Sequence, residues 1–140
     1  MSDDPPKPTP PNLDLIQMVQ AARLAHDAGV LPSQVHGVYW LEVKREVPGP
    51  APTSRAGRWV IETTAAEADA LWVLIRAATR DGRLGYKAKA STAARVGGTD
   101  RDQREIHIET VNRDDAADIE RVRAALVALG VSSPLRYDGA

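Results

Sequence analysis

With 140 residues, a net charge of -1 and no cysteine, the chain has room for one domain with a real core and no means of forming a disulfide, a thiolate metal site or a cysteine nucleophile. The near-zero charge offers no general basic excess for nucleic-acid binding through counterion release, so any such binding must be local. The start, Asp3 and Asp4 within a proline-dense stretch, lacks the basic and apolar regions of an export signal, and no apolar run approaches the roughly 20 residues that cross a bilayer, which makes a cytoplasmic protein with no membrane partner the expectation.

Residues 1–11 carry prolines at 5, 6, 8, 10 and 11 and read as a disordered or extended arm, because they have little to bury and few backbone donors. The remainder, 12–140, reads as a single domain. Asn12 caps an amphipathic helix through Leu13, Ile16, Val19 and Leu24 that stops at Gly29. From Val38 to Lys44 the pattern alternates, with Tyr39, Leu41 and Val43 on the inner face and Trp40, Glu42 and Lys44 on the outer. A proline-rich loop over 48–57 precedes a strand over 58–63, with Trp59 and Ile61 inward and Arg58 and Glu62 outward.

Thr64 and Glu67 have capping-box spacing for a helix carrying Leu71, Trp72 and Ile75 on its apolar stripe and ending at Asp81-Gly82. The strand over 86–92 turns Tyr86 and the small residues Ala88 and Ala90 inward, and Lys87, Lys89 and Ser91 outward. A loop over 93–103, with Gly97-Gly98 flanked by Arg95, Arg101 and Arg104, leads to a strand over 104–111 in which Ile106 and Ile108 face in and Glu105, His107 and Glu109 face out. That loop lacks the Gly-Lys-Ser/Thr of a nucleotide-phosphate loop. A last helix, capped by Asn112 or Asp114, carries Ile119, Val122, Leu126 and Leu129 to Gly130, and a short strand over 135–137 closes the chain. The fold class is therefore α+β, in the order α-β-β-α-β-β-α-β, a mainly antiparallel sheet with helices on one face and the other face open.

The strand phases gather Trp40, Lys44, Arg58, Lys87, Lys89, Ser91, His107 and Arg136 on the open face, with Glu42, Glu62, Glu105 and Glu109 among them. The plainer interpretation makes these solvated residues in weak cross-strand pairs. The functional one starts from Lys87 and Lys89, two of only four lysines in an arginine-preferring chain. Neighbouring ammonium groups each disfavour the other's charge, and a lysine so tuned acts as a general base where an arginine cannot. His107 is the candidate acid on the same phase, and Trp40 is a candidate stacking platform. His26 and His36 have no ligand partner at metal spacing, so no metal is expected.

The runs Val38-Tyr39-Trp40-Leu41 and Gly57-Arg58-Trp59-Val60-Ile61, then Trp72, the segment Gly82-Arg83-Leu84-Gly85-Tyr86-Lys87-Ala88-Lys89-Ala90-Ser91-Thr92, and Leu129-Gly130-Val131 with Pro134-Leu135-Arg136-Tyr137 resemble the basophilic leukaemia expressed protein family over about residues 38–138. The resemblance implies a curved sheet similar to that of the cap-binding translation initiation factor 4E. It also implies a domain like the phosphothreonine lyases of bacterial effectors and lanthipeptide synthetases, which remove phosphate by β-elimination with a lysine base and a histidine acid and need no cofactor. Lys87 corresponds to the base. The acid histidine of those enzymes follows a Lys-aromatic pattern on the strand before the helix, where this chain reads Arg58-Trp59-Val60. His107 is then the substitute acid, with Lys89, Arg58, Arg136, Ser91 and Trp40 around phosphate and substrate. The competing possibility is a non-catalytic module that uses the same face for a nucleotide, an RNA end or a phosphopeptide. A third is an interaction domain whose helices carry the contact.

Overall fold

A computed structural model describes residues 30–94 and 102–139, almost all of them in the compact unit Leu31–Ala140. The proline-rich arm, the helix expected after Asn12 and the loop segment containing Arg95, Gly97, Gly98 and Arg101 lie outside the described residues.

A 3-10 turn over Pro32–Gln34 is followed by β1 (Trp40–Lys44), β2 (Gly57–Thr64), α1 (Ala65–Arg80), β3 (Lys87–Ser91), β4 (Gln103–Thr110), α2 (Ala116–Ala128) and β5 (Leu135–Asp138). The strands form one sheet in the order β1-β3-β4-β2-β5, and every neighbouring pair is antiparallel. The architecture is thus α+β. Among the described residues no helix is long and apolar enough to cross a membrane.

Alternation along the strands decides which face the helices cover. Val43, Ile61, Ala88, Ala90, Ile106 and Ile108 share a core with Ala68, Trp72, Ile75 and Ala78 of α1 and Val122 and Leu126 of α2. Burying each of the large aliphatic side chains contributes about 1.5–3 kcal/mol, and the small Ala88 and Ala90 let α1 approach β3 closely. Trp59 is tied down as well, its Nε1 donating to the Ile119 carbonyl of α2 at 3.0 Å. Helix α1 stops where Gly82 takes a φ of +79°, and the helix-ending Gly130 adopts +101°, conformations that favour glycine.

Three local expectations are corrected. Tyr39 was expected on the inner face, yet it is 64 % exposed, because the chain bends over 37–39 and regular strand geometry begins only at Trp40. Helix α2 is capped by Asp115, whose carboxylate accepts from the Asp118 amide at 3.1 Å. Asn112 is instead occupied one step upstream, accepting from the Asp114 amide at 3.0 Å, and Asp114 pairs with Arg55. At α1, Thr64 does cap through its hydroxyl, accepting from the Glu67 amide at 3.3 Å. The Glu67 carboxylate, however, accepts from the Thr63 hydroxyl at 2.7 Å and the Ser133 hydroxyl at 3.3 Å, since Thr64 is still the last residue of β2, paired with Gln103.

Candidate functional site

Two rows of residues run straight across the face that the helices leave uncovered. One is Lys44, Lys87, Glu109, Arg58 and Asp138, and the other is Glu42, Lys89, His107, Val60 and Arg136, each residue in register with the next. In a third row Trp40 stands beside Ser91, and Glu105 beside Glu62. The sequence-derived candidates Trp40, Arg58, Lys87, Lys89, Ser91, His107 and Arg136 therefore all belong to one face. All three lysines of the described residues share it.

Three of the cations lie against carboxylates, whereas Lys44 beside Lys87 and Glu62 beside Glu105 are like-charged cross-strand neighbours. Lys87 Nζ is 3.4 Å from Glu42 Oε1. Arg58 lies 3.5 Å from both Glu109 and Asp138, and Arg136 is 3.4 Å from Glu62. The Lys87 and Arg136 pairs are partly solvated and each worth about 0–1 kcal/mol, whereas Glu109 is buried at 7 % exposure and depends on Arg58 to offset its lost hydration. These contacts leave Arg58 and Arg136 holding carboxylates, so an anionic ligand would have to join or displace those partners.

The centre of the face is His107. The indole of Trp40 stacks against its imidazole with ring centroids 4.8 Å apart and planes tilted by 48°, and Lys89 Nζ lies 4.6 Å from the centroid of the Trp40 ring, within cation–π range. The small Ser91, directly beside Trp40 in the register, leaves room for the indole to reach across β3 to β4. Ser91 is itself buried, and its Oγ accepts from the Glu105 amide at 2.9 Å, so it braces Glu105 and does not present a free hydroxyl. Glu105 in turn holds the imidazole, with Oε1 2.9 Å from His107 Nε2.

His107 is only 8 % exposed, and its Nδ1 is buried with no hydrogen-bond partner among the described residues. Burial lowers its pKa from the ordinary histidine value; the Glu105 hydrogen bond and charge oppose that shift, and the Lys89 and Arg58 charges reinforce it. With Nε2–H donated to Glu105, the neutral ring presents Nδ1 as an acceptor, and the protonated ring presents it as a donor.

The unfolded chain titrates its histidines near about 6.5, above the folded-state value at His107. The unfolded state therefore binds more protons over the interval between the two values. The His107 contribution to stability is full above about 6.5 and is lost as the pH falls through the folded pKa. Urea denaturation of wild type and His107→Gln across this window is expected to show a stability loss toward acid pH in the wild type that is shallower in the variant. Parallel pH profiles would contradict the assignment.

Sequence reasoning did not identify Glu105 as the partner of His107, although two residues separated by one position on a strand share a face. Nor did it anticipate the stack of Trp40 on His107, which joins strands that are not sequence neighbours. Trp59 and Trp72 face the helical side, as their phases imply. A separate polar cleft at one end of the sheet, between Glu62, Glu67 and Ser132–Pro134, includes none of the candidate site residues.

No curated protein matches the chain. A family model described as basophilic leukemia-expressed protein Bles03 matches residues 51–136, a span that includes Arg58, Lys87, Lys89, Ser91, His107 and Arg136 and begins after Trp40. That span covers more than half of the sequence, and the chain belongs to the basophilic leukemia-expressed protein Bles03 family.

Proposed function

We propose that the open sheet face acts on phosphorylated threonine or serine residues of peptides by β-elimination, on a sheet curved like that of translation initiation factor 4E. The observation that supports this most is the placement of Lys87 and His107. They stand on adjacent antiparallel strands, on the same face, one alternate position apart, since Lys87 pairs with Glu109 and Lys89 with His107. Such diagonal neighbours have backbones about 7–8 Å apart, a span that one phosphorylated side chain fills.

In the reaction, the Lys87 amine, having released its own proton, takes the α-proton of the phosphorylated residue. The Cα–H electron pair becomes the Cα=Cβ double bond as the Cβ–O bond breaks. The electrons of that bond leave on the phosphate oxygen, which takes a proton from His107. The products are a dehydrated residue and inorganic phosphate, with no cofactor involved. Lys89, Arg58 and Arg136 surround the phosphate. Burial keeps His107 neutral to lower pH in the free protein, and the negative charge of an arriving phosphate favours the imidazolium that the last step requires. The absence of cysteine suits a reducing cytoplasm as the working compartment.

A second reading, binding without elimination, is favoured by the Trp40 indole with a cation on one side and an imidazole against it, a platform suited to a nucleotide base or RNA end. Val60, at the position that carries the acid in the lyases described above, supports the same reading. Mass spectrometry of phosphothreonine and phosphoserine peptides after incubation separates the two. Elimination yields a peptide one water lighter than hydrolysis would. Unchanged peptides, with the protein shown to be folded, would leave the binding module as the function of this face.

A further inference from the structure

Strand β1 is an edge of the sheet, bonded among the described residues to β3 alone. The Thr92 amide donates to the Tyr39 carbonyl and the Arg45 amide to the Tyr86 carbonyl, both at 3.0 Å. Residues 39, 41, 43 and 45 therefore direct their main-chain groups at β3. The alternation of an antiparallel ladder turns those of Glu42 and Lys44 outward, where they meet no partner among the described residues. Both side chains are exposed. Lys44 stands directly beside Lys87, and among the described residues no carboxylate lies within ion-pair distance of it. Glu42 meets Lys87 through Oε1 alone, at 3.4 Å, and its Oε2 has no partner among the described residues. Two large apolar side chains flank the strand, each four positions from Val43: Tyr39, and Val47 at 43 % exposure.

We propose that two copies of the chain join along β1, antiparallel about a two-fold axis at Val43, so that one sheet runs through both. A free edge is a template for strand pairing, and charged side chains of one sign blunt it. Glu42 and Lys44 are of opposite sign and two residues apart, so the register centred on Val43 sets each against the other in the second copy. Glu42 then bridges Lys87 of its own chain and Lys44 of the second copy, which offsets the like-charge contact between Lys44 and Lys87, and the symmetry supplies the arrangement twice. In the same register the outward main-chain groups of residues 42 and 44 exchange hydrogen bonds, and Tyr39 approaches Val47 of the second copy. Centring the pairing on Glu42 or on Lys44 would set like charges face to face, and centring it on Leu41 would put Lys44 opposite Val38, with no carboxylate across from it. A two-fold perpendicular to the sheet turns both open faces to the same side and leaves them uncovered.

Sedimentation velocity across a concentration series is expected to give a dimer for wild type. Glu42→Lys and Lys44→Glu each set like charges face to face at both pairs and should raise the dimer dissociation constant by about tenfold or more, with circular dichroism unchanged. In an equimolar mixture of the two variants, one chain carries only lysine at the two positions and the other only glutamate. Every cross-strand pair is then again of opposite sign, and the mixture should recover a dimer of wild-type strength. The double variant Glu42→Lys with Lys44→Glu should dimerise by itself for the same reason, and it decides the matter if either single variant fails to fold. A dimer indifferent to the single changes, or a folded mixture or double variant that stays monomeric, would overturn the proposal. So would a monomeric wild type. Slow exchange of its Glu42 and Lys44 amides would then assign the edge to a cover from the same chain, and fast exchange would leave it to another protein.

Discussion

Lys87→Ala is expected to lower the elimination rate by about 10²–10⁴-fold, the usual contribution of a positioned general base, while the melting temperature stays close to that of wild type. That factor corresponds to about 2.7–5.4 kcal/mol of transition-state stabilisation. The structural cost is small because the Nζ ion pair with Glu42 is partly solvated, and Glu109, directly across from Lys87, keeps Arg58 as a partner. Lys87→Arg separates the base from a mere cation. A guanidinium stays protonated, so it can hold phosphate but cannot take the α-proton. Elimination by the arginine variant at a rate near wild type, measured by mass spectrometry of phosphothreonine peptide, would remove Lys87 from the chemistry.

Gly85→Ala is expected to cost the domain about 4 kcal/mol or more, in the range reserved for specific structural failures. A Cβ at position 85 would lie 1.8 Å from the Glu109 carbonyl oxygen and 2.8 Å from its carbon. Both atoms are backbone of a central strand, so no side-chain rotation relieves the clash. The only escape is to part β3 from β4 where the Tyr86 amide donates to that same carbonyl at 3.1 Å. Ordinary domains have about 5–15 kcal/mol in total, so the variant should unfold at much lower urea concentration. Any folded remainder should bind phosphopeptide weakly, since Lys87 is two residues beyond the clash. A urea midpoint within experimental error of wild type would show that β3 and β4 do not approach as closely at Gly85 as described.

The strand phases were legible because this chain alternates strongly. Ile106 and Ile108 interleave with Glu105, His107 and Glu109, and Ala88 and Ala90 with Lys87 and Lys89, so period two alone assigns each side chain to a face. The placement of Lys87, Lys89, His107, Arg58 and Arg136 on one face follows from that periodicity without any knowledge of strand order. The environment of His107 does not follow. Its ring contact is with Trp40, which stands on β1 with β3 in between, and that contact exists only once the order β1-β3-β4 is known. Local competition accounts for the smaller misses. Asn112 and Asp115 both have the chemistry of a cap, and the turn that Asn112 makes with the Asp114 amide moved the helix start to Asp115. Tyr39 continues the alternating pattern on paper but sits on a bend that ends the alternation before it.

The three tryptophans allow the role of the open face to be tested in one titration. Trp40 lies on that face against His107, whereas Trp59 donates its indole N–H to Ile119 and Trp72 is buried beneath α1. Indole N–H signals followed by NMR as a phosphothreonine peptide is added should show Trp40 shifting saturably, with Trp59 and Trp72 unmoved. If no indole signal moves, or if those of Trp59 and Trp72 move while Trp40 stays fixed, the open face of the sheet is not where this protein meets a phosphorylated ligand.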